Sequence, residues 1–127
     1  MISRALRHAA SAPFETRERC VITELLNDPR DPAASLAEAR VPPGVTTELH
    51  ALDVDERYVL TAGQGRLELD GVAHDLRAGD AALIPAGTAQ RIANTGAEAL
   101  VFLCLCTPRF RPEGYRPLED EPMKVEP

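Results

Sequence analysis

His50, Glu56 and Gln90 are an imidazole, a carboxylate and an amide carried by two runs of regular spacing. The first run is Gly44, five residues, His50, one residue, Leu52, three residues, Glu56, six residues, Gly63. The second is Gly79, five residues, Pro85, one residue, Gly87, two residues, Gln90, three residues, Asn94. In a strand His50 and Leu52 point to the same side. Asp53-Val54-Asp55 lets the chain reverse, so Glu56 and Tyr58 can return on a neighbouring strand facing the same way. Gln90 opens the strand that follows the Pro85-x-Gly87 turn. Three donors from three segments then converge in one barrel mouth, as a nitrogen, a carboxylate oxygen and an amide oxygen that a divalent transition metal accepts. Iron, manganese, nickel and zinc all suit such a set. Glu48 shares the face of His50 by alternation and could add a fourth oxygen. Glu56 and Tyr58 are the groups that could move a proton, and are the candidate catalytic residues.

Each residue also has a plainer role. A lone inward histidine can be a hydrogen-bonded core residue. Glu56 could pair with Arg57 or Arg91 on a solvated edge, whereas inside a barrel it needs a partner, because burying it alone is costly. Gln90 could tie two backbone segments together. Tyr58 could pack in the core with its hydroxyl satisfied. His74, just after Asp70-Gly71, reads as a surface hairpin residue, and His8 lies in the N-terminal arm.

The elements that must position these residues read as short strands. From Thr46 onward, alternating segments are broken by Gly, Asp or Pro at intervals of about 8–12 residues, the pattern of an all-β sandwich or barrel. The expected strands are Thr46–Leu52, Arg57–Leu60, Arg66–Leu69, Val72–Leu76, Ala81–Ile84, Gln90–Asn94 and Leu100–Cys106. Cys20–Leu26 suits an earlier strand, with a helical turn as the competing reading, and Ser35–Val41 alternates into the turn Pro42-Pro43-Gly44. Asp70-Gly71 is a two-residue hairpin signal, and Gly63 and Gly65 flank a tight connection where positive φ is plausible. The 127 residues suffice for one domain. It divides into a loose N-terminal arm over 1–19, a barrel over 20–107 and an extended tail over 108–127. Five prolines in that tail forbid a central strand or helix, and Phe110, Tyr115 and Leu118 could pin it to the barrel.

The two glycine-anchored runs resemble the two motifs of the cupin superfamily, Gly-x5-His-x-His-x3,4-Glu-x6-Gly and Gly-x5-Pro-x-Gly-x2-His-x3-Asn. The likeness covers residues 41–96. All four glycines, Pro85, Asn94, His50 and Glu56 fit, while Leu52 and Gln90 stand where the family has histidines. The resemblance implies an all-β fold, a single antiparallel jelly-roll barrel of double-sheet type. It also implies a metal centre with oxygenase, isomerase, decarboxylase or lyase chemistry, and the two lost histidines leave that centre altered. The run Phe102–Phe110 is similar to the closing strand and exit loop of small bacterial one-domain cupins, which commonly pair as homodimers. Both faces of Leu100–Cys106 are apolar, in keeping with a homodimer, and the sequence does not fix which face lines the barrel.

Charge narrows the function. The net charge is −6, from 20 acidic and 14 basic side chains, with no Lys/Arg stripe for nucleic acid. No apolar run of about 18 residues could span a bilayer, and Met1–Ala12 has no signal-peptide core, so a cytoplasmic protein is expected. The three cysteines, Cys20, Cys104 and Cys106, read as small apolar filler. Three functions compete. One is a metal-dependent enzyme acting on a small organic molecule, and a second is a metal-free barrel that binds or senses such a ligand. The last is a scaffold that uses the acidic tail.

Overall fold

The computed structural model describes residues 9–119. Met1–His8, the start of the expected arm, and residues 120–127, the end of the tail, lie outside the described residues. Eleven strands follow in chain order: β1 Phe14–Glu15, β2 Val21–Leu26, β3 Ser35–Val41, β4 His50–Leu52, β5 Asp55–Ala62, β6 Gln64–Leu69, β7 Val72–Arg77, β8 Ala81–Ile84, β9 Gln90–Asn94, β10 Leu100–Thr107 and β11 Tyr115–Pro117. All pairings are antiparallel. A six-stranded sheet runs β1-β2-β3-β10-β5-β8 and a five-stranded sheet runs β11-β4-β9-β6-β7. The two sheets form the expected double-sheet barrel.

Turn chemistry fixes the register. Asp70 and Gly71 take φ of 49° and 83°, so the β6–β7 hairpin closes at the dipeptide that tolerates positive φ. Gly63 has φ of 81° and joins β5 to β6. Gly65 has no positive φ and serves a different need from the one expected. A Cβ there would lie 2.9 Å from Leu100 Cδ2 and 3.0 Å from the Ala93 carbonyl oxygen, so close packing demands the glycine. Asn94 is structural: its Nδ2 donates to the Val41 and Glu98 carbonyls, and its Oδ1 accepts from the Gly96 N–H.

Alternation places the core. Leu60, Leu67, Ile84, Ile92, Leu100 and Phe102 are buried between the sheets. The phase of β10 is now settled. Phe102, Cys104 and Cys106 stand opposite Leu60, Tyr58 and Glu56 on β5 and line the interior. Leu103 and Leu105 take the outer face, near the exposed Val59 and Leu83.

Two segments read as lying outside the barrel each add an edge strand to it. β1 pairs with β2, so residues 14–15 of the expected loose arm belong to the larger sheet. β11 pairs with β4 and completes the smaller one. Arg19 and Glu119 join arm to tail by an ion pair of 2.6 Å, and Glu119 also accepts from the Leu49 N–H at 2.9 Å. Backbone satisfaction explains both additions, because an unpaired edge leaves a row of open donors and acceptors.

Candidate functional site

β4, β5, β9 and β10 bring the candidate residues to one cavity of about 130 Å³. His50 and Gln90 are direct partners across β4 and β9, and Glu56 faces Cys106 across β5 and β10. His50, Leu52, Glu56 and Tyr58 line the cavity wall, and Gln90 lies behind it, 1% exposed.

Gln90 joins the two candidate catalytic residues. Its Nε2 donates to Glu56 Oε1 at 3.0 Å, and its Oε1 accepts from the Tyr58 hydroxyl at 2.9 Å. Glu56 Oε2 meets only the Cys106 thiol, at 3.9 Å, among the described residues. Glu56 is 6% exposed and forms no ion pair among the described residues. Burial pushes its carboxyl up to about 8, Gln90 opposes that rise, and the nearby Glu18 adds to it. Glu56 is therefore a neutral acid at pH 7. The alternative of a solvated pairing with Arg57 or Arg91 does not occur: Arg57 donates to Thr107 Oγ1 and Arg91 to Glu68. Burial raises the Tyr58 hydroxyl well above its ordinary value, with Glu56 adding to the shift. Its ring packs on Phe102 at a centroid distance of 4.3 Å.

His50 is oriented from three sides. Its Nδ1 lies 2.7 Å from the Glu48 carbonyl oxygen. A carbonyl only accepts, so Nδ1 carries the hydrogen and Nε2 is left for the cavity. Glu18 Oε2 stands 4.0 Å from that nitrogen. Tyr115 stacks on the imidazole at 4.8 Å with an interplanar angle of 15°. Burial raises the Glu18 carboxyl, His50 works against that, and Glu48 reinforces it.

Glu48 does not face the cavity as expected of a fourth ligand. It accepts from the Tyr115 hydroxyl at 2.6 Å and holds the Arg17 guanidinium through both oxygens. Burial would raise its carboxyl, yet these two donors outweigh that and hold it below the usual range. The thiols are poor nucleophiles. Burial pushes Cys20 and Cys106 up to about 12 and raises Cys104 well above its usual value.

The donor set can be tested against a metal. His50 fits, since its Nδ1–H···O=C bond leaves Nε2 open in the way that orients histidine ligands. Gln90 does not fit: it lies behind the cavity wall with its oxygen toward Tyr58 and its amide N–H toward Glu56, so turning it into the cavity would break both bonds. No group of three His, Cys, Asp or Glu side chains that could hold an ion converges among the described residues. The arrangement is a hydrogen-bonded relay.

Glu18, Tyr115 and Arg17 escaped the sequence reading of the site. Glu18 and Arg17 lie in the mixed polar stretch before β2, where no spacing marks them. Tyr115 carried one signal, as an aromatic in a proline-rich tail that could pin to the barrel.

A family model described as a cupin domain matches residues 37–106. An uncharacterized protein of Methanocaldococcus jannaschii is 36% identical over 110 residues, covering 84% of this chain and 88% of that one. Among solved structures, Pac13 of Streptomyces, described as a nucleoside dehydratase, superposes with a TM-score of 0.74 at 18% identity. That match covers 90% of this chain and 92% of the other. A predicted oxalate decarboxylase of Thermotoga maritima gives 0.65 at 27% identity, covering 70% and 80%. No helix among the described residues is long and apolar enough to cross a membrane.

Proposed function

The chain belongs to the cupin domain family, and from that premise we propose that its barrel binds a small organic molecule and acts on it by acid–base chemistry of the isomerase or lyase type. One observation carries the reading. Glu56 is a buried carboxyl that keeps its proton at pH 7, with one oxygen held by Gln90 and the other left to the cavity that His50 also lines. Such a group is a proton donor in search of an acceptor.

The division of labour follows from the contacts. Glu56 gives its proton to a ligand oxygen, and His50 Nε2 accepts one from the ligand, with Glu18 beside it to stabilise the imidazolium. Gln90 and Tyr58 position Glu56 and keep it from turning away. Tyr115 and the Glu48 carbonyl hold the imidazole plane. The catalytic residues are then Glu56 and His50, and Tyr58 is a positioning residue. No step passes through a metal, because the amide that would complete the ligand set is turned away from the cavity, toward Tyr58 and Glu56.

The test is a thermal-shift and NMR screen of neutral and charged one-ring metabolites, nucleosides and sugars against wild type and His50→Ala. Elemental analysis of protein purified without chelators runs beside it. Ligands that stabilise wild type and lose their effect in His50→Ala support the reading. Near-stoichiometric transition metal that disappears in both His50→Ala and Gln90→Ala would overturn it in favour of a metal centre.

A further inference from the structure

Among the described residues, the wall of the cavity carries three carboxyl groups, Glu18, Glu24 and Glu56, and neither lysine nor arginine. Arg17 is bound to Glu48, and Arg109 donates to Asn27 Oδ1 at 2.9 Å. Neither lines the space. Phe14, Ile22 and Phe110 form an apolar part of the same wall. Glu56 Oε2 is directed at the cavity with no partner but a thiol at 3.9 Å, in a side chain more than nine-tenths buried.

We infer that the cavity selects its ligand by charge, taking an uncharged one-ring-sized molecule whose polar group meets Glu56 Oε2 and rejecting carboxylates and phosphates. This rests on the proposed reading of the cavity as a small-molecule site. The argument is electrostatic. An anion entering a space of low dielectric would face Glu18 and Glu24 with neither lysine nor arginine among the described wall residues to offset them. His50, the one basic side chain among those residues, already has Glu18 Oε2 at 4.0 Å. Its own desolvation would go uncompensated. An uncharged carbonyl or hydroxyl group instead brings no charge to desolvate, its polar atom reaches Glu56 Oε2, and its apolar body packs on Phe14, Ile22 and Phe110. The volume suits it: a hollow of about 130 Å³ is close to the roughly 150 Å³ that admits a benzene ring. Anionic substrates of the oxalate type are thereby excluded.

Three probes of one shape and different charge test this: benzamide, benzoate and benzamidinium, titrated by ligand-observed NMR into wild type and Glu24→Gln at pH 7. Benzamide should bind at least about tenfold more tightly than benzoate. Glu24→Gln should narrow that gap several-fold by improving benzoate and leaving benzamide unchanged, and Glu24→Ala should do the same if Glu24→Gln fails to fold. Benzoate binding as well as benzamide in wild type overturns the charge selection and leaves the small-molecule site standing. Benzamidinium outcompeting benzamide also overturns it, in favour of a cation site. No binding by any of the three, together with no hit in the wider screen, removes the site itself.

Discussion

The interior of this barrel has a sealed part and a hollow part, built on the same strands. Along β5, Leu60 packs against Leu67, Ile84 and Leu100 without a polar atom. Four residues earlier, Glu56 is also buried but looks onto open space. The sealed part follows the rule for stability, close packing of apolar side chains with glycine where backbones must touch. The hollow part breaks that rule with His50, Glu56 and Gln90 all buried, each needing partners to offset the loss of water. The difference teaches where to look for function. A fold that buries a carboxyl without a cation forgoes stability there, and the surrounding packing must supply it.

The largest effects should come from the sealed part and leave binding alone. Gly63→Val places a side chain where φ is 81° and a Cβ would meet the Ala99 carbonyl oxygen at 2.7 Å. Both the backbone and the space oppose it, so a loss of about 3–5 kcal/mol, or failure to fold, is expected in urea denaturation. Leu67→Ala, at a fully buried site, should cost about 2–5 kcal/mol. Ligand affinity measured where this variant remains folded should match wild type. A loss of affinity comparable to the loss of stability would erase the distinction between the two parts.

Glu56 should show the opposite behaviour. Its carboxyl is raised from 4.5 to about 8 in the folded protein, so between those values the native state holds a proton that the unfolded chain has released. Stability therefore falls as pH rises through that window, and Glu18, also raised, contributes in the same sense. Wild type should lose roughly a few kcal/mol between pH 5 and 8. Glu56→Gln should flatten most of that slope, match or exceed wild-type stability at pH 8, and lose activity. Chemical denaturation at several pH values reads the outcome directly. An unchanged slope in the variant would mean that the proton belongs elsewhere.

How much of this was legible in the sequence differs between the two parts. The sealed part was visible because alternation and turn chemistry are local. Asp70-Gly71 closes its hairpin as expected, and the strands from β6 to β10 fall within a few residues of their expected limits. The family resemblance located His50 and Glu56, and both line the cavity. What the sequence could not give was the pairing of distant segments. Glu18 reaches His50 only because residues 14–15 pair with β2, and Tyr115 does so only because the tail pairs with β4. Spacing also assigned Gln90 an open amide oxygen, whereas the direction of an amide is set by its neighbours, here Tyr58 and Glu56. Glu48 was misplaced for a related reason. Strict alternation would aim it with His50, but the chain is not yet in a strand at residue 48, and Arg17 with Tyr115 draws the carboxylate away.

Tyr58→Phe probes the relay with a smaller effect. Removing the hydroxyl leaves Gln90 Oε1 buried without a donor, at a cost of about 1–3 kcal/mol. Because Gln90 also donates to Glu56, the activity that depends on the Glu56 proton should lose its upper pH limit near 8 and shift. A mere packing role for Tyr58 would lower stability without moving the profile.

The smallest effect should come from Arg17→Ala, which is the sharpest test of where the hollow part ends. Arg17 is 65% exposed on its side chain, so its ion pair with Glu48 is screened by water and worth about 1 kcal/mol or less. Glu48 keeps the Tyr115 hydroxyl after the change. Its carboxyl, held below the usual range by both partners, should drift back toward 4.5. A depressed carboxyl stabilises the fold above its ordinary value and loses that contribution as pH falls. The variant should therefore differ from wild type at pH 6, with the difference shrinking toward pH 3. Ligand binding should be almost unaffected, because Tyr115 still stacks on His50 through β11 and its backbone pairing with β4. If Arg17→Ala instead weakens binding as strongly as Tyr58→Phe, then the exposed rim holds His50 in place, and the working site extends outward through Glu48 and Tyr115 to the arm.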